Sequence, residues 1–505
     1  MSGMLPKGWM EVSIGEIAFV SLGKTPSKKD YLSNGSLKVI KSRDVNNGVI
    51  DFFNDKTGFV RVDEAVVSSM TELKMWDVLT TSAAHSGENI GKKTAIVTEL
   101  PEKFERGFFT GELLNVRIPN HFLGFEIVSK MIYYFLSSEA GYKGIQKAVA
   151  GVHLTQGRAK GILFPLPPLN EQKRIVAKVD AIMPRIDSAK KRLEKIPAIL
   201  KRFRQSVLTA AVTGKLTEKW REEHPEVEKH APSLNDISCL DESLPNNWIK
   251  IKTRYCCSHI TKGTTPKNND FVEVGVPFLK VYNIVNNKID FEYKAQFVSQ
   301  ELHATLLKRS IVHPGAVVMN IVGPPLGKVA IIPKDYPEWN LNQAIAIFRP
   351  VNVLFNRYLY FVFLEGRCLL EVLIDTRGVV GQSNLSLEQC QNLEIPLPPL
   401  DEQKEIVRQV DKLFALADKV EEHYQKARAR VDALAQSVLA KAFRGELVPQ
   451  NPDDEPAEKL LQRIQEEKTK MEAELKTASR SARETRKNGA KTQRARPEEK
   501  QASEP

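Results

Sequence analysis

Two stretches of this chain place apolar side chains at steps alternating between four and three residues. The first runs Ile175, Val179, Ile182, Ile186, Ala189, Leu193, Ile196, Leu200, Phe203, Val207; the second runs Ile406, Val410, Leu413, Ala417, Val420, Tyr424, Ala427, Val431, Leu434, Val438. This is the seam of a long helix that packs along one face. Asn170 and Asp401 are expected as N-caps, Glu171 and Glu402 suit the positive end of each helix dipole, and Gly214 and Gly445 supply the stops. Roughly 43 residues at about 1.5 Å each predict rods of about 65 Å. Two seams in one chain most simply pack on each other as an antiparallel coiled coil; the competing arrangement has each seam bind a different subunit. Pro184 and Pro197 fall inside the first stretch and have no counterpart in the second. A proline there removes a backbone hydrogen bond, so the first rod is expected to be kinked or broken.

Ahead of each rod the pattern changes to short β-rich runs between turn signals. Leu37–Ile40, Val78–Thr81 and Thr94–Val97 read as strands, as do Phe278–Val281, Ala316–Met319, Val329–Ile332 and Ala344–Phe348. Helical stretches follow near Phe122–Leu136 and Leu354–Leu373. Each region is therefore expected to be an α/β (α+β) module with a mixed or antiparallel sheet.

The two halves are copies. Pro165-Leu166-Pro167-Pro168-Leu169-Asn170-Glu171-Gln172-Lys173 returns as Pro396-Leu397-Pro398-Pro399-Leu400-Asp401-Glu402-Gln403-Lys404. Leu5-Pro6-Lys7-Gly8-Trp9 matches Leu244-Pro245-Asn246-Asn247-Trp248, Thr25-Pro26 matches Thr265-Pro266, and Gly91-Lys92 matches Gly327-Lys328. Similarity is strong at module edges and weak between them, as duplicated scaffolds with different contact surfaces would show. The expected division is a first module over 1–164, a helical region over 165–216, and a polar linker over 217–243. A second module over 244–395, a second helical region over 396–447 and a charged tail over 448–505 complete it. In that tail Glu458–Lys476 is expected to be helical, and the basic stretch Arg480–Arg496 disordered.

Composition narrows the function. At 505 residues the chain is too long for one core. The N-terminal residues have no apolar signal-peptide run, and Tyr358–Leu364 is far too short to span a bilayer. The five cysteines lack metal-ligand spacing, so a reduced cytoplasmic setting and no bound metal are expected; Cys256-Cys257 reads as part of a strand. The formal net charge of +11 favours an anionic partner, of which nucleic acid is the commonest. Catalytic signatures are missing. Gly87–Thr94 is one residue short of a phosphate loop and precedes a strand, and Asn320–Pro325 lacks the order of an amino-methyltransferase motif.

Residues able to face DNA collect on loops between the strands. In the first module they are Lys41, Arg43, His85, Lys92, Lys93 and His153; in the second, Lys280, Tyr282, Asn283, Asn320, Lys328, Gln382 and Ser383. Arginine, asparagine and glutamine can read base edges, whereas lysine mostly meets phosphate.

The doubled Pro-Leu-Pro-Pro-Leu-x-Glu-Gln-x-x-Ile-Val, each copy preceded by a glycine-containing segment (Ala150–Leu154; Val380–Leu385), resembles the specificity subunit of type I restriction-modification systems. Arg204–Leu208 and Ala435–Leu439 fit the same pattern, as do Gly214-Lys215-Leu216 and Gly445-Glu446-Leu447. The resemblance implies two target-recognition domains separated by two conserved helical regions. It implies double-stranded DNA as a partner, with two modification subunits that carry S-adenosylmethionine and methylate adenine. It also implies two restriction subunits that use ATP and Mg, translocate DNA and cut it. This chain would itself hold no cofactor and no catalytic site. Two other readings stay open: a stand-alone restriction-methylation enzyme, which would need a methyltransferase motif, and a coiled-coil scaffold with no role on nucleic acid.

Overall fold

The computed structural model describes residues 5–46, 48–54, 56, 58–227, 238–239, 243–266, 270–375 and 384–494. The chain forms two compact units, one from Met1–Arg192 with Ala427–Pro505 and one from Leu193–Lys426.

In the first unit four antiparallel strands lie in the order Phe19–Leu22, Leu113–Arg117, Val78–Thr81, Thr94–Ile96. A second sheet has the order Arg106–Phe109, Leu37–Ile40, Phe59–Val60, Tyr31–Leu32, with Arg106–Phe109 parallel to Leu37–Ile40. Leu37–Ile40 and Val78–Thr81 are buried on both faces. That is why they read as short continuous runs and not as alternation. Met10–Ser13 pairs antiparallel with Leu163–Leu166, which tethers the start of the module to the proline motif. The helices Phe125–Ser137 and Glu139–Ala148 add Val128, Met131, Ile132, Phe135 and Ile145 to the core.

The second unit repeats this plan. Its antiparallel sheet runs Cys257–Lys262, Ile345–Pro350, Val317–Asn320, Val329–Ile331. Val276–Leu279 lies between Phe297–Val298 and a parallel partner, Asn340–Leu341. Ile249–Lys252 pairs with Glu394–Leu397 as Met10–Ser13 pairs with Leu163–Leu166. The same strand order on unlike sequences confirms the duplication at the level of topology.

The first rod is broken, as its prolines predict, but at one place only. Leu169–Leu193 passes through Pro184 without interruption, stops at Glu194 and Lys195, and resumes as Ile196–Val212 with Pro197 in its first turn. Proline is tolerated in a first turn because its missing N–H has no intrahelical partner there. The second rod, Leu400–Phe443, is unbroken. Within the first unit Ile175, Val176 and Val179 share a core with Val438, Leu439, Ala442 and Phe443, and Lys190 meets Asp432 at 2.9 Å, so the two segments run antiparallel. Within the second unit Val207, Leu208, Ala211 and Val212 join Ile406, Val407 and Val410, and Arg204 meets Asp418 at 2.8 Å.

The seam is not buried throughout. Ile175, Val179, Ile186, Leu200, Ile406, Val410 and Val438 are buried, and Ile182, Phe203 and Leu413 pack partly against the cores. Leu193 and Val431 are half-buried, whereas Val420 is 40% and Leu434 50% exposed, contrary to the expectation of a closed seam. The physical reason is coverage. Rod ends lie beside a globular module that shields them from a further side; along the rest of the second rod burial is uneven, with the seam residues Ala417 and Tyr424 buried and Val420 and Leu434 exposed.

Four other expectations change. Both rods start one residue before the expected caps, at Leu169 and Leu400, so Asn170 and Asp401 sit in the first turn. The expected linker is structured at its start: Lys215–Thr217 is a 3-10 turn, Glu218–Glu223 a helix, and Thr217 is buried. Cys256 ends a short helix and only Cys257 begins a strand. The last helix extends from Ala457 to Arg494, through most of the basic stretch expected to be disordered, in keeping with its many good helix formers.

Candidate nucleic-acid interface

In the first module the ends of several strands bring their loops together. Ile40 O accepts from Thr110 N–H at 3.0 Å, and Ser82 N–H donates to Glu112 O at 2.8 Å. Lys41 opens a 3-10 turn, Ser42–Asp44, whose geometry is set from below: buried Asp44 accepts from Lys41 N–H at 2.8 Å and from Asn54 Nδ2 at 2.7 Å. Lys41 Nζ stands 4.5 Å from the centroid of the Tyr31 ring, a cation–π distance. Lys93 Nζ donates to Ser42 O at 3.1 Å, Ser42 Oγ donates to Glu112 at 2.7 Å, and Arg43 is exposed at the turn. The strand end at Ser82 also meets the glycine-containing segment. Leu154 N–H donates to Ser82 O at 2.7 Å, and Ala83 forms an antiparallel bridge with His153. Lys41, Arg43, Lys93, His85 and His153 therefore share one rim, with both histidines exposed. Lys92 is exposed on the same hairpin, where its Nζ donates to Asn89 Oδ1 at 3.0 Å.

The second module builds the same rim. Lys280 N–H donates to Asn283 Oδ1 at 3.0 Å, and Lys280 Nζ lies 4.7 Å from the Phe271 ring. Two expected contact residues turn out to be interior. Buried Asn283 donates to Asp290 O at 3.1 Å and Tyr293 O at 2.9 Å, and buried Asn320 donates to Pro325 O at 2.6 Å. Short polar side chains satisfy loop backbone groups that would otherwise be left unpaired in the interior, so both shape the loops from inside. Tyr282 is half-buried at the turn, edge-on to Tyr293. Strand register makes Lys328 the counterpart of Lys93, and not of Lys92 as the sequence match suggests. Thr81 N–H donates to Lys93 O at 3.1 Å, and Asn320 N–H donates to Lys328 O at 2.8 Å. Gln382 and Ser383 lie outside the described residues, but exposed Asn384 bridges Val322 as His153 bridges Ala83.

Sequence reasoning missed a second part of the rim, although its signal, the repeated Thr-Pro, was visible. Gly23 N–H and Lys24 N–H donate to Leu113 O and Phe109 O, both at 3.1 Å, and Thr25 Oγ1 accepts from Gly111 N–H at 3.2 Å. In the second module Gly263 and Thr264 donate to Ile345 O and Leu341 O, both at 3.0 Å, and Thr265 Oγ1 accepts from Gln343 N–H at 3.4 Å. A Cβ on Gly23 would lie 2.2 Å from Thr110 O, and one on Gly263 2.0 Å from Leu341 O, so only glycine fits. Pinned to the first rim in this way, Lys24, Lys28 and Lys29 are all exposed.

Below the rims, the repeated motifs lock each module to its helices. Trp9 Nε1 and Trp248 Nε1 donate to Glu171 and Glu402, both at 2.9 Å, and these glutamates are 1% and 0% exposed. Gln172 and Gln403 each donate to a carbonyl of their own proline motif, Pro167 O and Pro398 O, both at 2.8 Å. Glu171 also accepts from Gln450 Nε2 at 2.6 Å, and Glu402 from Thr217 Oγ1 at 2.7 Å and Arg221 Nη1 at 2.5 Å. The acidic residue expected to serve the helix dipole is thus a buried acceptor. Burial pushes the Glu171 carboxyl above its ordinary range, although the bonds from Trp9 and Gln450 oppose the shift.

Among the described residues no cluster of His, Cys, Asp or Glu is arranged to hold a metal ion, and no helix is long and apolar enough to cross a membrane. The family model described as "Type I restriction modification DNA specificity domain" matches residues 6–198 and again 257–427. The chain is 30% identical over 487 residues to the EcoKI specificity subunit of Escherichia coli K12, covering 92% of this chain and 97% of that one. It is 35% identical over 329 residues to the EcoBI specificity subunit of Escherichia coli, covering 63% and 66%. A solved chain from work titled as the structural basis of complex assembly and conformational transition of the type I R-M system aligns with a TM-score of 0.64 at 20% identity. That alignment covers 88% of this chain and all of the other, and supports the fold. Two matched modules and a relative aligned over nearly its whole length place this chain in the type I restriction-modification DNA specificity family.

Proposed function

We propose that this chain reads DNA for a type I restriction-modification assembly, with each module contacting one half of a bipartite, asymmetric target in double-stranded DNA. One observation carries the reading: a single framework repeats the same basic rim twice with different side chains on it. Two modification subunits would bring S-adenosylmethionine and methylate adenine. Two restriction subunits would bring ATP and Mg, translocate and cut. This chain contributes no catalytic group, and the assembly works in the cytoplasm. Major-groove contacts on one face of DNA recur about every 34–36 Å, so the half-sites should lie roughly one helical turn apart with unread bases between.

Exchanging residues 244–395 for the corresponding module of a relative should change one half-site of the methylated target and leave the other intact. A swap that alters both halves, or a continuous palindromic target, overturns the reading. Incubated alone with DNA and labelled S-adenosylmethionine, the chain should transfer no methyl group above background.

A further inference from the structure

The duplication lets the rim be compared with itself. Hydrogen-bond register pairs Lys41 with Lys280, Lys93 with Lys328, Arg43 with Tyr282 and His153 with Asn384. The first two pairs are identical and the last two are not. Local folding does not explain the identity at Lys41 and Lys280. Each turn is held through that lysine's backbone: its N–H donates to the side chain of Asp44 or Asn283, and its carbonyl accepts from the same residue's N–H at 2.9 Å, groups that any non-proline residue supplies. What recurs is the side chain laid across a ring, Tyr31 in one module and Phe271 in the other. An aromatic face orients an ammonium without using up its N–H donors. Among the described residues neither lysine has a carboxylate at ion-pair distance. An ordered, unneutralised ammonium at the edge of a nucleic-acid rim suits a phosphate oxygen.

We propose that the repeat separates two kinds of DNA contact. Lys41 and Lys280, each seated on its ring, grip backbone phosphate at equivalent places in the two half-sites, seconded by Lys93 and Lys328. The positions that differ on the same rim, Arg43 against Tyr282 and His153 against Asn384, read bases. Arginine and asparagine have the bidentate donors and acceptors that distinguish guanine and adenine. Asn384 and the two ring platforms thereby join the site. The inference rests on the DNA-reading function proposed above.

The test uses the complete assembly and a randomised duplex library, with binding measured over a range of salt. Lys41→Gln and Lys280→Gln should each weaken cognate and non-cognate duplex by the same factor, roughly three- to thirtyfold. Each should reduce the slope of log K against log salt by about 0.9, one phosphate contact, with the selected sequence unchanged. Lys41→Arg should restore the slope. His153→Asn and Asn384→His should leave the slope alone and change base preference in one half-site each, a different one for each variant. A lysine variant that alters the selected sequence or keeps the wild-type slope refutes the assignment. So does a His153 or Asn384 variant whose loss is uniform across sequences. If the wild-type assembly selects no sequence at all, the DNA-reading function itself falls. Melting temperatures within the wild-type range show that each variant is folded.

Discussion

At the scale of single residues, the most informative contacts are the indole–carboxylate pairs Trp9–Glu171 and Trp248–Glu402. Each joins the first repeated motif of a module to the proline motif at its end, so two sequence repeats that look independent are halves of one lock. Replacing Trp248 with Phe leaves a buried carboxylate short of a donor. The expected cost is about 1–3 kcal/mol, read as a lower denaturation midpoint, and Trp9→Phe should behave alike. Glu171 also predicts a pH effect. Burial raises its folded pKa above the ordinary value of 4.5. The folded state therefore holds this proton more tightly than the unfolded state. The resulting stability is fully present below the unfolded pKa and is lost as pH rises through the folded one. Glu171→Gln, which has no such proton, should flatten the stability–pH curve in that window; an unchanged curve would show that the carboxyl does not titrate differently on folding.

Among the elements, those with strong local signals are legible in the sequence. The strands Leu37–Ile40 and Val78–Thr81 fall where the apolar runs place them, and both rods stop at glycines with φ of +76° and +72°. Illegible were the features decided by distant contacts. Nothing near Asn283 or Asn320 in sequence says that these amides point inward to satisfy loop carbonyls. The docking of Thr217 and Arg221 onto Glu402 spans more than 180 positions, which is why the segment reads as linker. The candidate rim was visible as residue types on loops, but its grouping, and the clamped Gly-x-Thr-Pro turn, depend on strand register. The seam shows the same division, because period locates a helical stripe without saying how much of it is covered. Val438 is buried and Leu434 half exposed only four residues earlier. Val438→Asp should destabilise by about 3–5 kcal/mol, the scale for an unpaired buried charge. Leu434→Asp should move stability by no more than about 0.5 kcal/mol, yet weaken co-purification with modification subunits if its exposed face receives them. Equal melting shifts for the two variants would contradict this division of the rod.

For the molecule as a whole, the units differ in how they are assembled from the chain. The second is one continuous stretch, Leu193–Lys426, whereas the first draws on residues before and after it. Leu460, Leu461 and Ile464 of the last helix are buried in the first unit's core, and Asp454 pairs with Arg174 at 2.6 Å. Each buried leucine or isoleucine contributes about 2 kcal/mol. Removing residues 449–505 should therefore loosen the first unit selectively, with faster amide exchange there and unchanged protection in the second. Removing only residues 478–505 should spare both.

That nesting sets an order in time. As the chain leaves the ribosome, its first module emerges earliest, yet Val438, Phe443 and Leu460 of its core are made only after the whole of the second unit, Leu193–Lys426. The second module can close on itself while the first still waits with apolar surface open. Synthesis and completion thus run in opposite directions, and the half made first is the half most exposed to aggregation and most in need of a chaperone while translation continues.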